Sequence, residues 1–117
     1  MKTTFDLTTP EGKMKAFNAK SATTGSLKDF TGELIEVTGL MTYEETVEDG
    51  FKTISTLFLK NCEIIGGQSA QAYTQISELI DVVEDMDIEA NPITVTIIKS
   101  KSNAGRDFLQ VKLVSLG

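Results

Sequence analysis

The run Glu33-Leu34-Ile35-Glu36-Val37-Thr38-Gly39-Leu40-Met41-Thr42-Tyr43 decides the fold class. Ile35, Val37, Gly39, Met41 and Tyr43 alternate with Glu36, Thr38, Leu40, Thr42 and Glu44. A two-residue period is that of a β-strand with one side buried, which puts Tyr43 on the face of Val37 and Met41. Gly39 would ordinarily weaken the middle of a strand. In a small barrel it lets the first long strand bend sharply enough to serve both sides of a curled sheet.

Downstream, the acidic stretch Glu44 to Asp49 ends at Asp49-Gly50, a hairpin signal, and Phe51 to Leu59 is the returning strand. Lys60-Asn61 makes a second turn. Cys62-Glu63-Ile64-Ile65 is a short third strand ending at Gly66-Gly67. The period then changes. Ser69 suits an N-cap, and Ala72, Tyr73, Ile76, Leu79, Ile80, Val83 and Met86 recur every three or four residues, opposite Glu78, Asp81, Glu84 and Asp85. That predicts an amphipathic helix of about four to five turns. Asn91-Pro92 closes the connection. Ile93–Ile98 and Asp107–Ser115 are the fourth and fifth strands, joined by Lys99 to Arg106 with its Asn103-Ala104-Gly105 turn.

Upstream, residues 1–32 are polar and irregular. Short extended pieces are expected at Thr3–Leu7 and Lys13–Ala19, with Thr9-Pro10-Glu11-Gly12 as a turn and Ser21 to Ser26 as a flexible loop. The whole is mainly β: three strands, a helix and two strands, the order of a five-stranded OB-fold barrel with an irregular N-terminal extension. Other five-stranded α+β arrangements share that order. The 117 residues make one domain, 1–117, with residues 1–32 packed on or beside the barrel.

Composition excludes several functions. With no histidine and one cysteine, Cys62, an ordinary zinc site, an imidazole-based triad and an internal disulfide are all ruled out. Phosphate-loop, nucleophile-elbow and metalloprotease motifs are missing, so no enzyme and no cofactor are expected. No segment approaches the ~20 apolar residues of a membrane span, and no secretory leader is evident, so a cytoplasmic, reducing setting is expected.

The net charge of −6 is unevenly spread. Residues 1–30 hold five lysines against three acids; residues 61–92 hold seven acids and no cation; residues 93–117 hold four cations and one acid. If the two ends meet, one surface is basic on an acidic body. Lys99, Lys101 and Arg106 in the last hairpin can follow a phosphate chain, or simply keep an edge soluble. Phe108 and Lys112 share the polar side of the last strand, opposite Leu109, Val111 and Leu113. An exposed ring beside a cation suits a stacked base; a reversed register would bury it. Tyr43 and Phe51, with Lys52, stand near the first hairpin, where rings either stack bases or close the barrel mouth. Lys13, Lys15 and Phe17 share a face if their segment is extended, with Lys20 and Lys28 nearby. The residues thus point to electrostatic capture and stacking of single-stranded nucleic acid. A protein-interaction or structural module, and more remotely a carboxylate-metal nuclease, stay open.

Three segments carry a resemblance: Glu11-Gly12-Lys13-Met14-Lys15-Ala16-Phe17-Asn18-Ala19, Ser26-Leu27-Lys28-Asp29, and Ser100 to Leu113 with its Ser102, Gly105, Phe108, Leu113 spacing. Together with Thr4-Phe5-Asp6 and the Ile76 to Val83 helix, the chain resembles the small single-stranded DNA-binding proteins of phages of Gram-positive bacteria, the protein-primed podophages included. That resemblance implies an OB fold, sequence-independent coating of single strands during phage DNA replication, and no catalysis. A monomer or weak homo-oligomer is expected, in the bacterial host cytoplasm if the chain is phage-encoded, with phage replication proteins as candidate further partners. Tyr43 matches an aromatic suited to stacking, and Lys15, Phe17 and Asn18 match a shared stretch. Ile64-Ile65 stands where a tyrosine is expected, and the chain ends at Leu116-Gly117 without an acidic recruiting tail.

Overall fold

The computed structural model describes Met1 to Gly117. In chain order it holds β1 (Lys2–Thr3), α1 (Pro10–Ser21), β2 (Gly25–Ser26), a 3-10 turn (Leu27–Phe30), β3 (Leu34–Val47) and β4 (Gly50–Leu59). β5 (Ile64–Gly67), α2 (Ala70–Val82), β6 (Ile93–Lys101) and β7 (Asp107–Ser115) follow. The architecture is mainly β. One curled sheet has the order β2-β5-β4-β3-β6-β7, with β1 added against β3. The five strands expected from residue 33 onward are present, and two short strands from the N-terminal segment raise the total to seven.

β3 serves both sides of the curl. Leu34–Val37 pairs with β6, and Val37–Val47 pairs with β4. Between Val37 and Gly39 the register slips, so that Val37 faces Leu59 but Gly39 faces Phe58. One extra residue in a strand turns every later side chain to the opposite face. Ile35, Val37 and Leu40 therefore point into the main core, whereas Met41 and Tyr43 point away from it. This corrects the expectation that Tyr43 shares a face with Val37.

The inner side of the sheet is filled by sixteen buried residues, Leu57, Ile65, Val95 and Ile97 among them. α2 closes this core with Ala72, Ile76, Leu79 and Ile80. The Ser69 hydroxyl accepts from the Ala72 N–H at 3.3 Å, a cap that fixes where the helix begins. The helix is shorter than its periodicity predicts, since it stops at Val82 and the chain continues as turns that still bury Val83 and Ile88. Leu109, Val111 and Leu113 of β7 pack against the core, as their alternation requires. β5 and β7 are not neighbours in the sheet. Instead Gln75 Oε1 accepts from the Val111 N–H at 2.6 Å and the Ser69 hydroxyl donates to the Leu109 carbonyl at 3.4 Å.

The N-terminal third departs most from expectation. Lys13–Ala19 is helical, not extended, and Thr9-Pro10-Glu11-Gly12 is the start of α1. The Thr9 hydroxyl accepts from the Gly12 N–H at 3.1 Å, and Pro10 sits where its fixed φ and missing N–H cost nothing. A Cβ at Gly12 would lie 1.8 Å from the Asp6 carbonyl oxygen, so the turn before the helix closes only over glycine. Of Thr3–Leu7, only Thr3 is in a strand, and the expected loop at Ser21–Ser26 contains β2, which pairs in parallel with β5. α1 lies on the outer side of the sheet, where Ala16 and Ala19 pack with Met41, Tyr43 and Phe58. Phe5 meets Phe58 edge to face, ring centroids 5.4 Å apart. No helix is long and apolar enough to cross a membrane.

Candidate nucleic-acid interface

Past the bulge, the outer face of the sheet sets Tyr43 beside Ile54, Met41 beside Thr56 and Glu45 beside Lys52. α1 covers only part of that face. The rest is a groove of about 500 Å³, bounded by Ala19 and Lys20 of α1, Thr23, Ser26, Lys28 and the Gly66-Gly67 end of β5, with Leu109 reaching it from β7. Of residues 93–117 only Leu109 reaches the groove, and none of their four cations does.

The groove is cationic. Lys20, Lys28 and Lys52 line it and have no carboxylate partner, the ion pairs being Lys2–Asp81, Lys15–Glu89, Lys60–Glu36 and Lys99–Asp107. Glu45 is its one acid. The Lys20 ammonium stands 5.1 Å from the centre of the Tyr43 ring, within cation–π range. Tyr43 is 7% exposed. Burial pushes its phenol pKa above the usual 10.0, and the nearby Glu45 carboxylate adds to the shift, so the hydroxyl keeps its proton. The Thr56 hydroxyl, also in the lining, is buried without a hydrogen-bond partner. A Cβ on Gly66 would lie 3.7 Å from that hydroxyl; glycine leaves the backbone bare at this point.

Of the residues singled out from sequence, Tyr43 and Lys52 lie in the groove. Lys13 and Phe17 are exposed on α1 at the spacing that shares a face with Lys20, Phe17 at 69%. Lys15 turns elsewhere: it pairs with Glu89 and stands over Phe5, in a cleft with Asp6, Glu11 and Asp87. The Asp6 carboxyl there is held below its ordinary 3.8 by hydrogen bonds from the Thr8 hydroxyl and N–H. Phe51 is 65% exposed but alternates with Lys52, so it leaves the opposite face of β4. Lys99 is paired to Asp107 at 3.3 Å, while Lys101 and Arg106 are exposed at the end of the last hairpin. Phe108 is half-buried and Lys112 exposed, on the side of β7 away from Leu109. The groove therefore gathers only two of these residues and adds Lys20, Lys28, Ile54 and Thr56. Lys20 and Lys28 were visible as part of the N-terminal cationic run; only the helix shows that the first of them faces Tyr43.

The phage single-stranded DNA-binding protein family model matches residues 1–114. The single-stranded DNA-binding protein of Bacillus phage B103 is 32% identical over 120 residues, covering 97% of this chain and 96% of that one. Those of Bacillus phages PZA and phi29 are each 29% identical over 119 residues, covering 97% of this chain and 94% of theirs. No solved structure matches the chain. With the match running almost end to end, the chain belongs to the phi29-type phage single-stranded DNA-binding protein family.

Proposed function

We propose that this chain binds single-stranded DNA without reading its sequence and coats it during phage DNA replication in the host cytoplasm. The observation that carries this reading is the groove with three unpaired lysines beside Tyr43, in a chain of net charge −6. A cationic trough with one ring suits a flexible strand whose phosphates follow cations while a base stacks. Membership in a family of that name supports the same ligand.

The fold belongs in this proposal as an OB-type barrel. β3 pairs with β4 and β6, β4 with β5 and β6 with β7, and the helix lies between β5 and β6. The groove lies on the outer face of the first three strands in that scheme, of which the second and third form the face OB folds use for oligonucleotides. β5 and β7 do not pair, and Gln75 and Ser69 tie α2 and its cap to β7 instead, a local variation on the closed barrel. Residues 1–32 act as part of the same domain, since Leu27 is fully buried in the main core.

Binding of fluorescent oligo(dT), followed by anisotropy over a range of salt, tests the reading. Log affinity falls linearly with log salt, and Lys28→Ala and Lys52→Ala each flatten the slope by about 0.7. Variants with the parent slope would move the site elsewhere; no binding at all would reject the function.

A further inference from the structure

We propose that Lys20 is a specificity-determining residue of this groove, which shields the Tyr43 ring in the free protein and yields it only to a ligand that brings negative charge. The inference rests on the single-stranded DNA reading and adds to it a requirement on how the ring becomes available.

Tyr43 lines the groove, yet a cation already stands over its ring. A flat ligand cannot lie on that face until the ammonium leaves. An uncharged one offers Lys20 nothing in exchange. A strand supplies a phosphate, and an ammonium–phosphate hydrogen bond is a stronger partner than a ring. Lys20 forms no ion pair and sits on a flexible stem in the last turn of α1.

The same helix contains the contrasting case. Lys15 stands 5.4 Å from the centre of the Phe5 ring, but Glu89 also holds it. That lysine is locked in place by an ion pair, whereas Lys20 stands over its ring without one. The groove lining also includes the Thr56 hydroxyl, which like that of Ser55 is buried without a partner within the protein.

A Tyr73→Phe protein makes Tyr43 the only tyrosine, and the chain has no tryptophan, so tyrosine fluorescence then reports this ring. The probes are oligo(dT) with ordinary phosphodiester links and the same oligomer with uncharged methylphosphonate links. Lys20→Ala is expected to bind the uncharged oligomer about 2–5-fold more tightly, the size of a lost exposed cation–π contact. The same variant should bind the phosphodiester more weakly at low salt, with a slope flatter by about 0.7. Lys28→Ala should weaken the phosphodiester only. Lys20 is exposed, so the variant keeps its melting temperature. Unchanged binding of the uncharged oligomer by Lys20→Ala would make Lys20 an ordinary phosphate contact and overturn the proposal. If the parent binds neither oligomer, the function itself falls, a result distinct from that one.

Discussion

The two sides of the β3–β4 ribbon are built to different standards. Inward, sixteen buried residues from strands, turns and α2 interlock. Outward, four buried residues are sheltered by α1 and Phe5, and the remainder of the face is left as a groove. Stability resides on the first side. The second side has packing enough to hold Tyr43 still and space enough to admit a ligand.

Leu57→Ala, on the inner face, should cost the most, about 2–5 kcal/mol in chemical denaturation, because it leaves a void among residues that cannot collapse into it. A cost below about 1 kcal/mol would mean that the inner side is loosely packed after all. Gly39→Ala comes next. Its Cβ would stand 3.2 Å from Cδ2 of the buried Phe58 ring, and overpacking of that kind costs about 1–3 kcal/mol. A neutral result would show that Phe58 can retreat and that the outer cluster is soft.

Phe5→Ala removes the edge-to-face partner of Phe58 and should cost about 1 kcal/mol. Amide exchange should then quicken in α1 while β4 keeps its protection; equal loss in both would join the two sides into one cooperative unit. The smallest effect concerns the Tyr43 phenol. Its pKa is raised in the folded state, so folding holds that proton more tightly than the unfolded chain does. The contribution is whole below pH 10.0 and fades as pH climbs through the folded value. Phenolate absorbance of the Tyr73→Phe protein checks it, and a midpoint at or below 10.0 would place the ring in open water.

Strands and α2 were legible because each buries one side against a large core, and one-sided burial writes a period of two or of three to four into the residues. α1 has no such period. It rests on the sheet through small residues, Ala16 and Ala19, while Met14 and Phe17 face solvent, so its apolar residues describe no stripe. Its only local marks were Thr9 and Pro10, which serve a turn as well as a helix start. The site suffered from the same cause. Alternation marks Tyr43 as a ring near the first hairpin, but its face depends on a one-residue slip that alternation alone does not reveal. Lys20 meets that ring only because residues 10–21 coil.

The margins of the sheet carry a last consequence. β2 runs along β5, and Gln75 and Ser69 engage the backbone of β7 at Val111 and Leu109. Neither border offers a long unbroken row of bare amides to a neighbour. A second copy brought alongside would therefore find no ready template for extending the sheet.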